Sequence, residues 1–281
     1  MKKFITFDEK ILSNISLNEY INYLHTRRVD GLEVALHDKL LDFSDYIDLA
    51  KKISKSSMTL NYHIPDFVTH GEYEIADIRT NSSIKENFIK YYDNILRLME
   101  HGKLRSETTI IFHGAKAYDN DYKKAYDNTM FFSDFSLNLF EKRDLPFSLS
   151  CESLNSNIMT FGDKRFDLVK LVSQFESDSL GICWDLIHDT NNFYDNYTMP
   201  DELFYKHINN VHIHGSRKVL TTIEDHLPLY RSEINLETYI DYLKQHDYSG
   251  ALTHELLSFR CSNYKLDLDK DLDLLDEFFT N

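Results

Sequence analysis

Six strand-like segments of this chain each finish on an acidic or metal-ligating side chain: Tyr62-His63, Phe112-His113, Cys151-Glu152, Trp184-Asp185, Val211-His212 and His254-Glu255. Imidazoles and carboxylates with no thiolate suit divalent zinc, manganese, cobalt or iron better than copper(I) or an iron–sulfur cluster. Glu152, Asp185, His212 and Glu255 come from four neighbouring strands, so their side chains can converge on one ion. His63 and His113, taken as a pair on adjacent strands, favour a second metal position. Asp185-Leu186-Ile187-His188 places a further ligand type one short turn past its strand, and Glu224-Asp225-His226 follows His212 closely enough to supply a third position. The expected metal count therefore runs from one ion to three.

Other residues near these strand ends are candidates for holding substrate. His214 stands two residues after His212, which puts it on the same inward face if the strand continues, and it is expected to touch substrate. Arg217 and Lys218 lie just beyond and suit an anionic or hydroxylated substrate, against the plainer reading of a solvated pair. His254 points the other way from Glu255 by the same alternation and belongs between barrel and helices. No P-loop, dinucleotide fingerprint or GxSxG elbow is present.

Positioning so many side chains at strand ends requires a fold that gathers those ends at one mouth. Apolar, β-branched runs alternate with helix-period segments throughout, the pattern of repeated βα units around a parallel sheet. Eight strands are expected: Phe4 to Phe7, Gly31 to Leu36, Met58 to His63, Thr108 to His113, Pro146 to Glu152, Leu180 to Asp185, Asn210 to His214 and Ala251 to Leu256. Apolar stripes between them mark helices, for example Leu17, Tyr20, Ile21 and Leu24, or Ile84, Phe88, Tyr91, Ile95 and Leu98. The acidic, amphipathic segment Leu266 to Phe279 reads as the eighth helix. The predicted fold is an α/β (β/α)8 TIM barrel in one domain spanning 1–281, whose chemistry collects at the C-terminal ends of the strands.

Composition narrows the partners. The 281 residues carry 31 Lys and Arg against 46 Asp and Glu, a net charge of −15, which repels phosphate backbones and anionic membranes. Nucleic acid is a disfavoured partner, and no run of residues has membrane-spanning length. Cys151, Cys183 and Cys261 are odd in number and lack CxxC spacing, so neither a disulfide framework nor a thiolate zinc site is expected. The first residues meet Asp8 before a signal-length apolar stretch can form, and a cytoplasmic location is the expectation. The residues assign no oligomeric state.

In the order and spacing of His63-x-Pro65, Glu152, Asp185-x-x-His188, His212, Glu224-Asp225-His226-Leu227-Pro228-Leu229 and Glu255, the chain resembles the xylose-isomerase-like barrel superfamily. That group joins sugar isomerases and epimerases with the endonuclease IV type of abasic-site nuclease (AP endonuclease family 2). Resemblance to the tagatose-epimerase-like members implies one ion held by Glu152, Asp185, His212 and Glu255. The two glutamates would be the catalytic acid and base acting through an enediolate, while His188 and Arg217 orient hydroxyl groups. Resemblance to the nuclease members implies three zincs: one on His63, His113 and Glu152, one on the quartet, and one on His188, Glu224 and His226. Asp66, Glu224 and Tyr230-Arg231-Ser232 depart from the nuclease pattern. The preferred expectation is a metal-dependent isomerase or epimerase acting on a small carbohydrate. A multi-zinc phosphodiesterase is the alternative, and a non-enzymatic metal-containing binding protein ranks last.

Overall fold

The structure is a computed structural model and describes residues 1–36, 42–65, 71–102, 108–156, 159–175, 177–193, 197–220 and 222–280. In chain order its strands and α-helices are β1 (Lys2–Thr6), α1 (Leu17–Thr26), β2 (Gly31–Val34), α2 (Phe43–Ser56), β3 (Thr59–His63), α3 (Ser82–Gly102), β4 (Thr108–Phe112), α4 (Tyr122–Arg143), β5 (Phe147–Glu152), α5 (Arg165–Val172), β6 (Leu180–Asp185), α6 (Leu186–Phe193), α7 (Glu202–Tyr205), β7 (Ile208–Ile213), β8 (Gly215–Val219), β9 (Thr222–Leu227), α8 (Glu237–Gln245), β10 (Ala251–His254) and α9 (Tyr264–Thr280). Eight parallel strands close into a barrel in the order β1-β10-β7-β6-β5-β4-β3-β2, and β8 pairs with β9 as a separate antiparallel hairpin. The fold is the expected (β/α)8 barrel. It carries one addition, the hairpin inserted after β7, and the connection from β6 to β7 holds two helices where one is expected.

Parallel barrel strands bury both faces, one in the lumen and one against the helices, so they read as nearly continuous apolar runs. All six residues of β6 are buried. Trp184 turns outward from it and packs among Phe204, Tyr239 and Tyr242, with ring centroids 5.7 to 6.4 Å away. That anchorage points the next residue, Asp185, into the lumen. Helix ends are set by local chemistry: the Ser16 hydroxyl accepts from Glu19 N–H at 3.3 Å while the Glu19 carboxylate accepts from Ser16 N–H at 2.8 Å, a capping box that stabilises α1 by about 1 kcal/mol.

The loops after β4 and β5 seal to each other above the barrel. Phe161 N–H donates to Ala115 O at 2.9 Å and Ala117 N–H to Met159 O at 2.7 Å, while Leu154 N–H donates to Gly162 O at 3.0 Å within the second loop. Gly162 has φ +126°, and a Cβ there would stand 2.6 Å from the carbonyl oxygen of Glu152. Only glycine fits so close to a strand end carrying a site residue. No helix among the described residues is long and apolar enough to cross a membrane.

Candidate metal centre

The lumen faces of β3, β5, β6 and β7 and the residues just after β4 and β10 deliver His63, Glu152, Asp185, His212, His113 and Glu255 to one mouth. Glu152 sits at the hub, 1 % exposed. Its Oε2 lies 3.0 Å from His63 Nε2 and 3.1 Å from His113 Nε2. Its Oε1 lies 3.6 Å from both His188 Nδ1 and His212 Nδ1. Glu255 repeats the arrangement: Oε1 is 3.3 Å from His212 Nδ1 and Oε2 is 3.6 Å from His226 Nε2. Each glutamate thus turns one oxygen toward a shared centre and the other toward flanking imidazoles.

Asp185 splits its oxygens differently. Oδ1 accepts from the N–H groups of Ile187 at 2.9 Å and His188 at 2.7 Å, capping the first turn of α6. Oδ2 makes no hydrogen bond among the described residues although it is buried, and it stands 3.4 Å from His188 Nδ1. His212 Nδ1 and His188 Nδ1, which face the same centre, are likewise buried without a hydrogen-bond partner among the described residues. Buried polar atoms left unpaired are costly, and several aimed at one point call for a ligand.

The donor set fits a divalent cation. Two ligands bound to the same ion at about 2.0–2.1 Å stand about 3.0–3.4 Å apart, the range seen between several of these nitrogens and oxygens. His63 adds a sharper test. Its Nδ1 faces the carbonyl of Ile64 at 2.9 Å and must carry the proton there, so in the neutral ring a bare Nε2 faces a carboxylate oxygen. Two acceptors at that distance repel unless a proton or a cation joins them.

Electrostatics gives the same picture. Burial disfavours charge on Glu152, but His113 and His212 outweigh it and hold the carboxyl well below its ordinary pKa. Glu255 is also held low against burial, by His212 and His226. Burial lowers the His226 ring, but Asp225 and Glu255 carry it up to about 10. His212 rises well above the ordinary value despite burial, with Cys183 and the carboxylates of Glu255, Glu33 and Glu152 beside it. Because burial also raises the Cys183 thiol well above its usual range, that group stays neutral and the carboxylates are the effective cause.

These shifts fix a pH dependence for the metal-free protein. His63, His188, His212 and His226 all have raised folded pKa values, so their stabilising contribution is complete below the unfolded value of 6.5. It is lost as pH climbs through the folded values, up to about 10 for His226. His214 is shifted the opposite way by burial and offsets part of this. Metal-free protein is expected to melt at progressively lower temperature from pH 6.5 to pH 10. Saturating Zn2+ should flatten that trend, because a cation replaces the displaced protons. Thermal melts with and without chelator check this; a melting temperature that rises with pH in chelator contradicts it.

Three residues sit differently from expectation. Glu224 pairs with Arg217 across the β8–β9 hairpin at 2.6 Å and does not stand with His188 and His226. Arg217, in turn, is partnered by that carboxylate on an exposed strand. His214 is fully buried behind His226, with the rings stacked 4.1 Å apart, and does not reach the surface of the mouth. The reason is the hairpin's path: the chain turns back so that His226, at φ +52°, donates its backbone N–H to His214 Nδ1 at 2.9 Å. His214 Nδ1 also lies 3.2 Å from Gly215 O, and its Nε2 stands 3.2 Å from Asp185 Oδ2, with no hydrogen bond from Nε2 or Oδ2 among the described residues. Lys218 N–H donates to Glu233 Oε2 at 3.1 Å, and Asp66 falls outside the described residues.

One group escaped the reading of strand ends. Glu33, on β2 and 1 % exposed, reaches across the lumen to His212 Nε2 at 3.1 Å and groups with His63 and Glu255. A single carboxylate inside the apolar run Leu32-Glu33-Val34 was the available signal, since a buried charge requires a partner.

The chain superposes over its whole length on solved barrels that are distant in sequence. A D-psicose 3-epimerase from Clostridium cellulolyticum H10, crystallised with D-tagatose, matches at TM-score 0.70 and 13 % identity, covering 99 % of this chain and 98 % of the other. A D-tagatose 3-epimerase-like protein matches at TM-score 0.68 and 15 % identity over 99 % and 97 %. An AP endonuclease, family 2, from Brucella melitensis matches at TM-score 0.67 and 15 % identity over 99 % of both chains. No curated protein matches the sequence. Because such distant likenesses establish the barrel alone, family membership rests on the sequence model for the xylose isomerase-like TIM barrel, which matches residues 24–278 and so takes in each of the clustered site residues: the chain belongs to that family.

Proposed function

We propose that this protein is a divalent-metal-dependent isomerase or epimerase acting on a small neutral carbohydrate. The observation that carries the reading is the pair of glutamates facing one centre from strand ends separated by β6 and β7, both held ionised at neutral pH. An ionised carboxylate is the form that can take a proton from carbon. Glu152 and Glu255 approach from different sides, so one can remove the proton on one face of a substrate carbon and the other return it on the opposite face. Asp185 and His212 complete the set that would hold the ion, and His188 reaches the same point to orient hydroxyl groups. When bound, the cation supplies polarisation of the substrate carbonyl and lowers the cost of the developing negative charge.

The charges around the mouth favour a substrate without phosphate. Arg217 is paired with Glu224 at 2.6 Å, Arg260 with Asp225 at 3.5 Å, and Lys116 with Glu74 at 2.8 Å. Cations already facing carboxylates attract a phosphate weakly, and the −15 net charge acts in the same direction. Tyr230 and Arg231, where the nuclease pattern differs, are tied to α9 through Asp267, with the tyrosine hydroxyl donating at 2.7 Å.

A second reading, phosphodiester hydrolysis with several ions, draws on the other oxygen of Glu152. With His63 and His113 facing it, that oxygen would help hold a further ion beside the first, and a site with several ions would supply activated water for hydrolysis. Metal content of purified protein, measured beside assays on a panel of ketoses and aldoses and on abasic-site DNA, separates the two. Stereochemical interconversion of a neutral sugar that stops with chelator is expected. Incision of abasic DNA by protein holding three zincs, with no sugar turnover, would overturn the proposal.

A further inference from the structure

We infer that Glu33 is the positioning residue for His212: its carboxylate holds the proton of that ring on Nε2 and aims the bare Nδ1 at the metal position. This rests on the reading of Glu152, Asp185, His212 and Glu255 as a metal-holding set and adds to it a fifth residue that stands behind one ligand. His212 presents two different faces. Nδ1 looks toward Glu255 Oε1 at 3.3 Å and Glu152 Oε1 at 3.6 Å and makes no hydrogen bond among the described residues. Nε2 looks the opposite way, toward Glu33 Oε2 at 3.1 Å. A carboxylate oxygen only accepts, so Nε2 carries a proton, and in the neutral ring Nδ1 is then the free lone pair that a metal requires.

The carboxylate is itself held in place. Thr253 Oγ1, fully buried on β10, donates to the same Oε2 at 3.2 Å. Backbone register puts Thr253 directly beside His212, so the hydroxyl and the imidazole converge on Glu33 from adjacent strands. Glu33 comes from β2, across the barrel lumen, 179 positions away in sequence from the ring it supports. A carboxylate 1 % exposed in a barrel lumen costs folding free energy unless its partners return it. A merely structural side chain at this depth would be apolar, as Leu32 and Val34 beside it are. Carboxylates behind metal-bound histidines fix ring orientation and raise ligand basicity, and losing one commonly weakens the metal by about 10–100-fold. The competing role is direct: Glu33 also groups with His63 and Glu255, and its Oε1 makes no hydrogen bond among the described residues.

Metal-free wild type, Glu33→Gln and Glu33→Ala are titrated with Co2+ while its visible absorption is followed, and the Zn2+-loaded proteins are examined by 15N NMR of the imidazoles. Glu33→Ala should bind Co2+ about 10–100-fold more weakly at unchanged stoichiometry. Glu33→Gln, whose amide oxygen still accepts from Nε2–H, should lose less. In Zn2+-loaded wild type the His212 Nε2–H should be present and protected from exchange. Wild-type affinity in both variants overturns the inference. So does the loss of one bound ion per chain with the rest held as tightly as before, which would make Glu33 a ligand. A His212 that carries its proton on Nδ1 in loaded wild type overturns it without any variant, so a failure of Glu33→Ala to fold leaves the test intact. Wild type that takes up no Co2+ overturns the metal-centre reading as a whole, whereas unaffected variants of a metal-binding wild type overturn the role of Glu33 alone.

Discussion

Replacing Glu152 with Gln should abolish turnover while leaving the barrel folded. Glutamine matches the shape of the side chain, so packing at this buried position is kept, but the amide is a poor ligand and cannot take a proton. Loss of the base alone removes about 10²–10⁴ in rate, and loss of a ligand from the shared centre adds to that. The substitution also strips His63 and His113 of the carboxylate oxygen that both face within 3.1 Å. Metal uptake should fall together with activity. The measurement is turnover and bound metal in Glu152→Gln, with far-UV circular dichroism confirming the fold. Activity within tenfold of wild type would remove Glu152 from the chemistry.

Asp189→Ala should cause the largest loss of stability of any single change near the site. Asp189 is 2 % exposed and accepts from Arg165 Nε at 2.9 and 3.0 Å and Nη2 at 2.6 Å, from Trp184 Nε1 at 2.9 Å and from Tyr197 OH at 3.3 Å. One carboxylate thus ties α5, β6, α6 and the segment before α7 together. Removing it leaves a largely buried guanidinium without its counter-charge and an indole N–H without an acceptor, at a cost of about 3–5 kcal/mol. For a chain of this size that corresponds to a melting temperature lower by about 10 °C. Function should suffer as well, because His188 precedes Asp189 on α6 and its ring is aimed by that helix. Thermal melts of Asp189→Ala and Asp189→Asn check this. The asparagine variant, which still accepts from Trp184, should fall in between; an unchanged melting temperature in Asp189→Ala contradicts the account.

The barrel was legible because a strand buried on both faces is apolar throughout and stops where polar chemistry begins. Trp184-Asp185 shows this: an outward aromatic among helices, followed by an inward acid at the mouth. Boundaries shifted where a charge hides in the barrel. The first strand starts at Lys2, before Phe4, because Lys3 is buried with its ammonium at Arg27 O (3.0 Å) and against Asp276. A lysine there does not look like a strand residue until its partners, far along the chain, are known. The β8–β9 hairpin escaped for a related reason. Its residues Arg217, Lys218, Glu224 and Asp225 are charged, and its turn lacks the Asn-Gly or Asp-Gly pair that usually marks one, with Leu220 at φ +57° instead.

The site was legible where ligand types recur at strand ends and opaque where one residue acts through another. His63, His113, Glu152, Asp185, His212 and Glu255 meet because a closed barrel brings all strand ends together. The pairing of Glu224 with Arg217, the seating of His214 behind His226 and the support of His212 by Glu33 depend on which way a loop turns or how far a side chain reaches across a lumen. Spacing in one dimension carries no trace of either.

The account stands on one cation shared by Glu152, Asp185, His212 and Glu255. A crystal structure of protein loaded with Zn2+ or Mn2+, with the ion located by its anomalous scattering, tests that most directly. The ion should lie at about 2.0–2.2 Å from an oxygen of Glu152, Asp185 and Glu255 and from Nδ1 of His212. Crystals whose only anomalous peaks lie away from these four side chains, at full loading, would contradict the account.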